Sequence, residues 1–321
     1  MEIRHASVLE ARYAGTHPIR RSAPEARFLD ALCAGNADAV CALFLEQKLF
    51  GGAPCAVDTP YGRFAGLEEI RRFAETWNER FGATRSEAVP CIQTAGGGRA
   101  ALEASVHFVR DGAIDQIPMF VIADYRTKET LDEVRIYVPY GMIPGHTPYR
   151  APIFPAERLA PGDPALLSGA VREYYDALHT YPAADLDRLL NAMSDDIAVG
   201  GYAWCDTVPA APPGETPKEA ARRSFERTRS YIPADVSMRY ETVIDDGKTA
   251  VLEWVHVISR RARDELGRLA MSGIAAYERG EDGRLCSVRI LDYAWRESEI
   301  DWAKTPIPRE QAEQINLLPD A

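Results

Sequence analysis

The sequence predicts an α+β protein whose plan is written twice along the chain. Three observations carry that prediction. Short motifs recur in the same order: Phe28 to Leu32 (FLDAL) returns as Tyr174 to Leu178 (YYDAL), Arg71-Arg72 returns as Arg222-Arg223, and Val134-Arg135-Ile136 returns as Val288-Arg289-Ile290. One coincidence would mean nothing, but several in register mean two copies of one unit, with loops that have drifted in length. Within each copy, helix-period patterns come first and strand-period patterns after, the signature of helices segregated on one face of an antiparallel sheet. Between the copies, prolines 139, 144, 148, 152, 155, 161 and 164 deny helix or central strand.

The predicted organisation is an N-terminal extension (1–23), a first unit (24–140), a proline-rich strap (141–163), a second unit (164–296) and a C-terminal tail (297–321). Each unit opens with a helical hairpin. In its second helix Val40, Leu43 and Phe44, or Leu186, Leu189 and Leu190, fall on one face. Asp38 and Asp185 sit near that helix's start, where a negative charge meets the positive end of the helix dipole. A short strand follows, then a third helix: Gly66 to Phe81, or Thr216 to Tyr231 with Pro217 in its first turn. A meander closes each unit. In the second, Val236, Met238 and Tyr240 alternate with polar residues, Asp245 to Lys248 reads as a hairpin turn, and strands follow at 249–258, 269–279 and 285–293. Gly96-Gly97-Gly98 reads as a hairpin tip, because no Gly-Lys-Ser/Thr follows to make a phosphate loop. In the strap, Tyr140, Tyr149 and Phe154 are expected to pin the chain to a surface.

Composition narrows function. The 321 residues are 46% hydrophobic and 26% charged, ordinary for a globular chain, with no apolar run near the ~18 residues of a membrane span. A formal charge of −11 repels phosphate backbones, so nucleic acid is not an expected partner. The first residues lack the apolar core of a signal peptide, and the expected location is cytoplasmic. The six cysteines form no CxxC pair and read as buried reduced thiols. The six histidines show no HxH or i,i+4 pairing, so no metal is expected, and with no Gly-rich phosphate loop no organic cofactor is expected either.

At FLDALCAGNADAVCALF and CAVDTPYGRFAGLEEIRRF, and more loosely at YYDALHTYPAADLDRLL, the sequence resembles the nuclear transport factor 2-like superfamily, closest to its SnoaL-like cyclase and ketosteroid isomerase branches. That resemblance implies two cone-shaped half-barrels. In each, a curved antiparallel sheet and about three helices enclose a mostly apolar pocket. It also implies candidate groups. Asp58 resembles the isomerases' general base, with Asp206 as its counterpart; the alternative for both is a turn-forming aspartate. Tyr174 falls where the isomerases place an oxyanion-donating phenol, whereas the first copy has Phe28. The isomerases' second carboxylic acid is aligned with Ala123 and Ala275, and Asp124 is one residue off, turned to the other face by strand alternation.

His107 and His256 each follow a valine on a sheet strand and are either proton relays or core histidines. Asp292, at the end of the last strand, is either an acid–base group of the cyclase type or a rim residue. Arg71-Arg72 and Arg222-Arg223 read as solvated helix faces. The expected function is cofactor-independent isomerisation or aldol-type cyclisation of a small hydrophobic carbonyl compound, such as a polyketide or terpenoid intermediate. The second copy, with Tyr174, Asp206, His256 and Asp292, is the fuller site. The alternative is a non-catalytic binding or scaffold protein of the same fold. The copies are expected to pair within the chain, with further oligomerisation left open and no membrane partner.

Overall fold

A computed structural model describes residues 1–45, 54–59, 61–139, 142, 166–178, 185–200, 202, 208, 210–229, 236–258 and 272–292. The Arg260–Arg268 region, most of the proline strap and the C-terminal tail lie outside them. The chain divides into two units: Met1–His146 with Gly201–Cys205, and Thr147–Gly200 with Asp206–Ala321. The architecture is mixed α+β with two curved, mainly antiparallel sheets.

In the first unit, β1 (Glu2–His5) and α1 (Val8–Tyr13) precede the hairpin of α2 (Pro24–Cys33) and α3 (Ala37–Cys41). Pro24 starts α2, and Asn36 caps α3 by accepting from the Ala39 amide. Next come β2 (Ala56–Thr59), β3 (Gly62–Ala65), α4 (Leu67–Glu75), α5 (Trp77–Arg80), β4 (Arg85–Gly96), β5 (Arg99–Arg110), β6 (Ala113–Thr127) and β7 (Thr130–Tyr137). The sheet order is β3-β2-β7-β6-β5-β4, and β1 adds to β6 in parallel. The single helix expected over 66–81 is broken at Thr76, whose hydroxyl donates back to the carbonyls of Arg72 and Phe73. Gly97 and Gly98, at φ 61° and 79°, turn the β4–β5 hairpin with the positive φ such a two-residue turn requires.

The N-terminal extension is part of this unit. Asp115, buried on β6, holds Arg4 (Nε, 2.9 Å), His5 (Nδ1, 2.8 Å) and Arg110 (Nε, 2.5 Å). Burial pushes the Asp115 carboxyl up, but these donors outweigh it and hold it well below the usual range.

In the second unit, α6 (Gly169–Leu178) pairs with α7 (Leu186–Asn191), capped by Asp185 accepting from the Arg188 amide. After β8 (Met193–Val199), α8 (Pro217–Arg229) starts from a capping box: Glu219 accepts from the Thr216 amide, and Thr216 Oγ1 accepts from the Glu219 amide. The meander is β9 (Val236–Asp245), β10 (Thr249–Ile258), β11 (Ser272–Arg279) and β12 (Leu285–Asp292), in the order β8-β12-β11-β10-β9. Asp245 and Asp246 carboxylates accept from the amides of Gly247 and Thr249 and close the expected turn. The paired arginines do face outward: Arg71 meets Asp38 and Arg222 meets Asp187, each at 2.6 Å.

Both sheets bury a charge on the face turned away from the helices. In the first, Phe64 stacks on Phe73 of α4, so the row Phe64-Val57-Val134-Ala123-Ala100 marks the helix side. Arg135, one residue on, belongs to the far face. It is fully buried and donates to Asp124 (2.9 Å), with Glu133 at 3.6 Å. In the second sheet Arg289 is equally buried and donates to Glu278 (3.2 Å) and Ser287 Oγ (2.8 Å). Burial raises the Asp124 carboxyl, but Arg135 and Arg99 overcome this and hold it below its ordinary value.

Asp124→Ala should therefore cost about 3 kcal/mol in denaturant unfolding, since it leaves a buried guanidinium short of its carboxylate. Because the folded carboxyl is depressed, this stability is complete above the unfolded-state value near pH ~4 and drains as pH falls through the folded one. Asp124→Asn should flatten the acid limb of the unfolding midpoint plotted against pH.

Candidate active site

The helix-facing interiors of the two units differ in kind. The first is filled by rings. Phe28 meets Phe44 edge-on with centroids 6.0 Å apart, Trp77 leans on Phe81 (4.7 Å), and Phe81 stacks on Phe108 (4.2 Å). All five are buried, so Phe28, where the second copy has Tyr174, is an element of a packed core. The second interior has fewer rings: Tyr174 and Tyr277 pack with Val171, Leu189, Leu190, Met193 and Leu252 and with alanines at 177, 250 and 275.

Tyr174 lies midway along α6 on its buried face, 1% exposed, and its ring tilts against Tyr277 of β11 at 5.1 Å. Tyr277 was not singled out by sequence. The ladders show why it matters: Tyr277 lies opposite Val288, as Ala123 lies opposite Val134. On the two-copy reading, Ala123 matches Tyr277 in register, each lying opposite the first residue of a Val-Arg-Ile motif, while Ala275 lies opposite Ile290. The row that lacks a polar group in the first unit thus carries a phenol in the second. The paired Val-Arg-Ile motifs held this signal, had they been used to set the register of the preceding strand.

The remaining sequence candidates are placed unevenly. Asp206 lies outside the described residues. Backbone alone is described for His256 and Asp292: His256 pairs with Met238, and Asp292 pairs with Gly273, which is itself opposite Trp254. Asp58 is buried on the far face of the first sheet, opposite Arg135 in register, with its carboxylate 3.5 Å from Arg63. Arg63 also donates to Glu133 through both terminal nitrogens (3.2 and 3.1 Å).

His107 is on that same far face, where Nε2 meets Glu10 of α1 at 2.6 Å and Gln116 at 3.2 Å. Burial pushes Glu10 up, yet His107 brings it below its ordinary value. In the first unit, then, neither Asp58 nor His107 faces the interior under α2 to α5; His107 faces α1 on the other side of the sheet. Asp124 is turned away as alternation requires. Sequence reading also passed over Glu25, fully buried in the first turn of α2, which accepts from Tyr125 (2.5 Å) and from Gln93. Its Pro-Glu helix start gave no hint of burial.

Among the described residues no group of three His, Cys, Asp or Glu could hold a metal ion, and no helix is long and apolar enough to cross a membrane. An open hollow of about 400 Å³ on the second unit lies between α6, α7 and the β11–β12 turn, but its Arg188 is already committed to Glu173 (2.9 Å) and Asp176 (3.3 Å).

Residues 171–288 carry a SnoaL-like domain. The domain spans Tyr174 and Tyr277 and stops at Val288. No curated protein matches the chain. Among solved structures, it is similar to a ketosteroid isomerase-like protein of Catenulispora acidiphila (16% identity, covering 35% of this chain and 81% of that one, TM-score 0.29). It is also similar to a proposed polyketide cyclase of Sinorhizobium meliloti (18%, 36% and 93%, TM-score 0.29). A third is a nuclear transport factor 2-like protein of unknown function from Cytophaga hutchinsonii (16%, 35% and 83%, TM-score 0.26).

Burial makes Cys33 and Cys41 poor nucleophiles: it pushes both thiols up, that of Cys33 to about 12. Iodoacetamide at pH 8 should leave Cys33 unmodified in the native protein and label it after unfolding, read by peptide mass spectrometry.

Proposed function

We propose that this chain is a cofactor-independent acid–base enzyme that isomerises, or cyclises by an aldol-type step, a small hydrophobic carbonyl compound such as a polyketide or terpenoid intermediate, with turnover in the SnoaL-like domain. The observation that carries this reading is the buried phenol of Tyr174, set inside that domain among apolar side chains and beside a second phenol, Tyr277. A phenol in a dry surrounding is suited to stabilise charge that develops only in the transition state. The reading includes two copies of one unit, at 24–140 and 164–296. It is supported by the shared strand order, in which the short strand pairs in parallel with the last strand of each meander.

In this mechanism the Asp206 carboxylate takes a proton from the carbon next to the substrate carbonyl. The C–H electron pair becomes the enolate C=C bond, and the carbonyl π pair moves onto oxygen, where Tyr174 donates a hydrogen bond. Isomerisation follows when Asp206 returns the proton to a different carbon of the conjugated system. Cyclisation follows when the enolate carbon attacks a second carbonyl of the same molecule and the resulting alkoxide takes up the proton. His256 and Asp292 serve as relay groups for these transfers. The first copy, its interior packed with rings, serves as the brace.

Deuterium exchange at carbons adjacent to the carbonyl tests this without knowledge of the product. A panel of small cyclic ketones in D₂O, followed by NMR, reads enolisation directly. Tyr174→Phe and Asp206→Asn should lower exchange by about 10²–10³-fold, the weight of one oxyanion donor or base, while Asp58→Asn changes it little and all three variants stay folded. Loss of exchange in Asp58→Asn alone would move the site to the first copy. Indifference to both aspartates would end the general-base reading.

A further inference from the structure

We propose that the first unit binds a planar organic carboxylate through Arg80. The argument starts from an imbalance of charge. Several arginines of this unit have a carboxylate: Arg63 has Asp58 and Glu133, Arg71 has Asp38, Arg72 has Glu68, and Arg110 has Asp115. Arg80 has none among the described residues. The chain carries 48 Asp and Glu against 37 Lys and Arg, so the omission does not reflect a shortage of acids.

Three aromatic faces surround the guanidinium instead. Its central carbon lies 5.3 Å from the ring centroid of Tyr61, 5.2 Å from Phe64 and 5.9 Å from Phe73. Such contacts hold the cation in place, but they do not satisfy its in-plane N–H groups. One of those groups is already used: Nε donates to Thr76 Oγ1 at 2.9 Å. The arginine is therefore oriented from both ends, by Thr76 at Nε and by the rings around the head.

Its backbone is anchored as well, because the Tyr61 hydroxyl donates to the Arg80 carbonyl at 2.7 Å. With Nε spent, the two terminal nitrogens present an end-on fork, the geometry that a carboxylate accepts through both oxygens. Arg80, Tyr61 and Phe64 all remain partly exposed, so an incoming group can reach the fork. The flanking rings favour a flat, apolar body behind the carboxylate over a small hydrated anion. This site is separate from Tyr174, and its existence does not depend on turnover in the SnoaL-like domain.

Isothermal titration of the full chain with sodium benzoate tests the proposal, with acetate and inorganic phosphate as parallel probes. Benzoate should bind saturably at one site and about tenfold more tightly than acetate, the difference being the aromatic flank. Arg80→Met, which keeps the apolar stem, should weaken benzoate at least about tenfold, and Arg80→Lys should weaken it too, because a point charge does not reproduce the fork. The lysine variant carries the test if the methionine variant does not fold. Absence of saturable heat with the unaltered protein overturns the proposal. So does unchanged affinity in a folded Arg80 variant, and phosphate binding as tightly as benzoate overturns the assignment to a carboxylate.

Discussion

A guanidinium that is fully buried in a sheet face imposes its needs on everything near it. Arg135 has no water to fall back on, so its charge must be met by the protein. Asp124 meets it from the neighbouring strand and Glu133 from its own, while Arg99 and Arg63 extend the alternation of charge on either side. A slip of one residue in β6 or β7 would turn these groups to the helix side and push Val134 and Ala123 outward. The ion network thus fixes register, and register decides which side chains can face the helices. Arg289 with Glu278 does the same for the second sheet.

That constraint explains where sequence reasoning worked and where it failed. Helix starts were legible because they are local: Asn36, Asp185 and the Thr216–Glu219 box each act on amides a few residues away. The meander was legible from period-2 alternation. The face of Asp58 was not. β2 has four residues, all buried, so Val57 and Asp58 offer no contrast between wet and dry positions. Its orientation follows from pairing with β7, more than seventy residues away, which no local pattern contains. The match of Ala123 with Tyr277 was hidden for a related reason. Two alanines look alike in a string, whereas the ladder counts residues from Val134 and Val288. The break of the third helix at Thr76 depends on a side chain choosing a backbone acceptor over solvent, a preference too weak to read in advance.

On the two-copy reading, one plan has diverged in chemistry while keeping the order of the five strands both sheets share. Phe28 lacks the hydroxyl that Tyr174 carries, and Trp77, Phe81 and Phe108 pack as rings beneath the first sheet. A packed aromatic core gains dispersion and apolar burial at the expense of room for a ligand. A core with fewer rings gives up part of that stabilisation. On the two-copy reading, the first unit holds its shape through rings and ion pairs, and the second retains polar groups in an apolar setting.

Arg80 adds a different kind of asymmetry. The ring cluster that closes the first interior reaches its edge at Phe73 and Phe64, and there it is capped by a cation in place of another apolar side chain. An apolar cap would bury more surface without desolvating a charge, and a carboxylate beside the guanidinium would discharge it as it does at Arg63 and Arg110. The cluster does neither. The guanidinium's terminal nitrogens have no carboxylate among the described residues, and because Arg80 is partly exposed they face water, which an incoming carboxylate would displace.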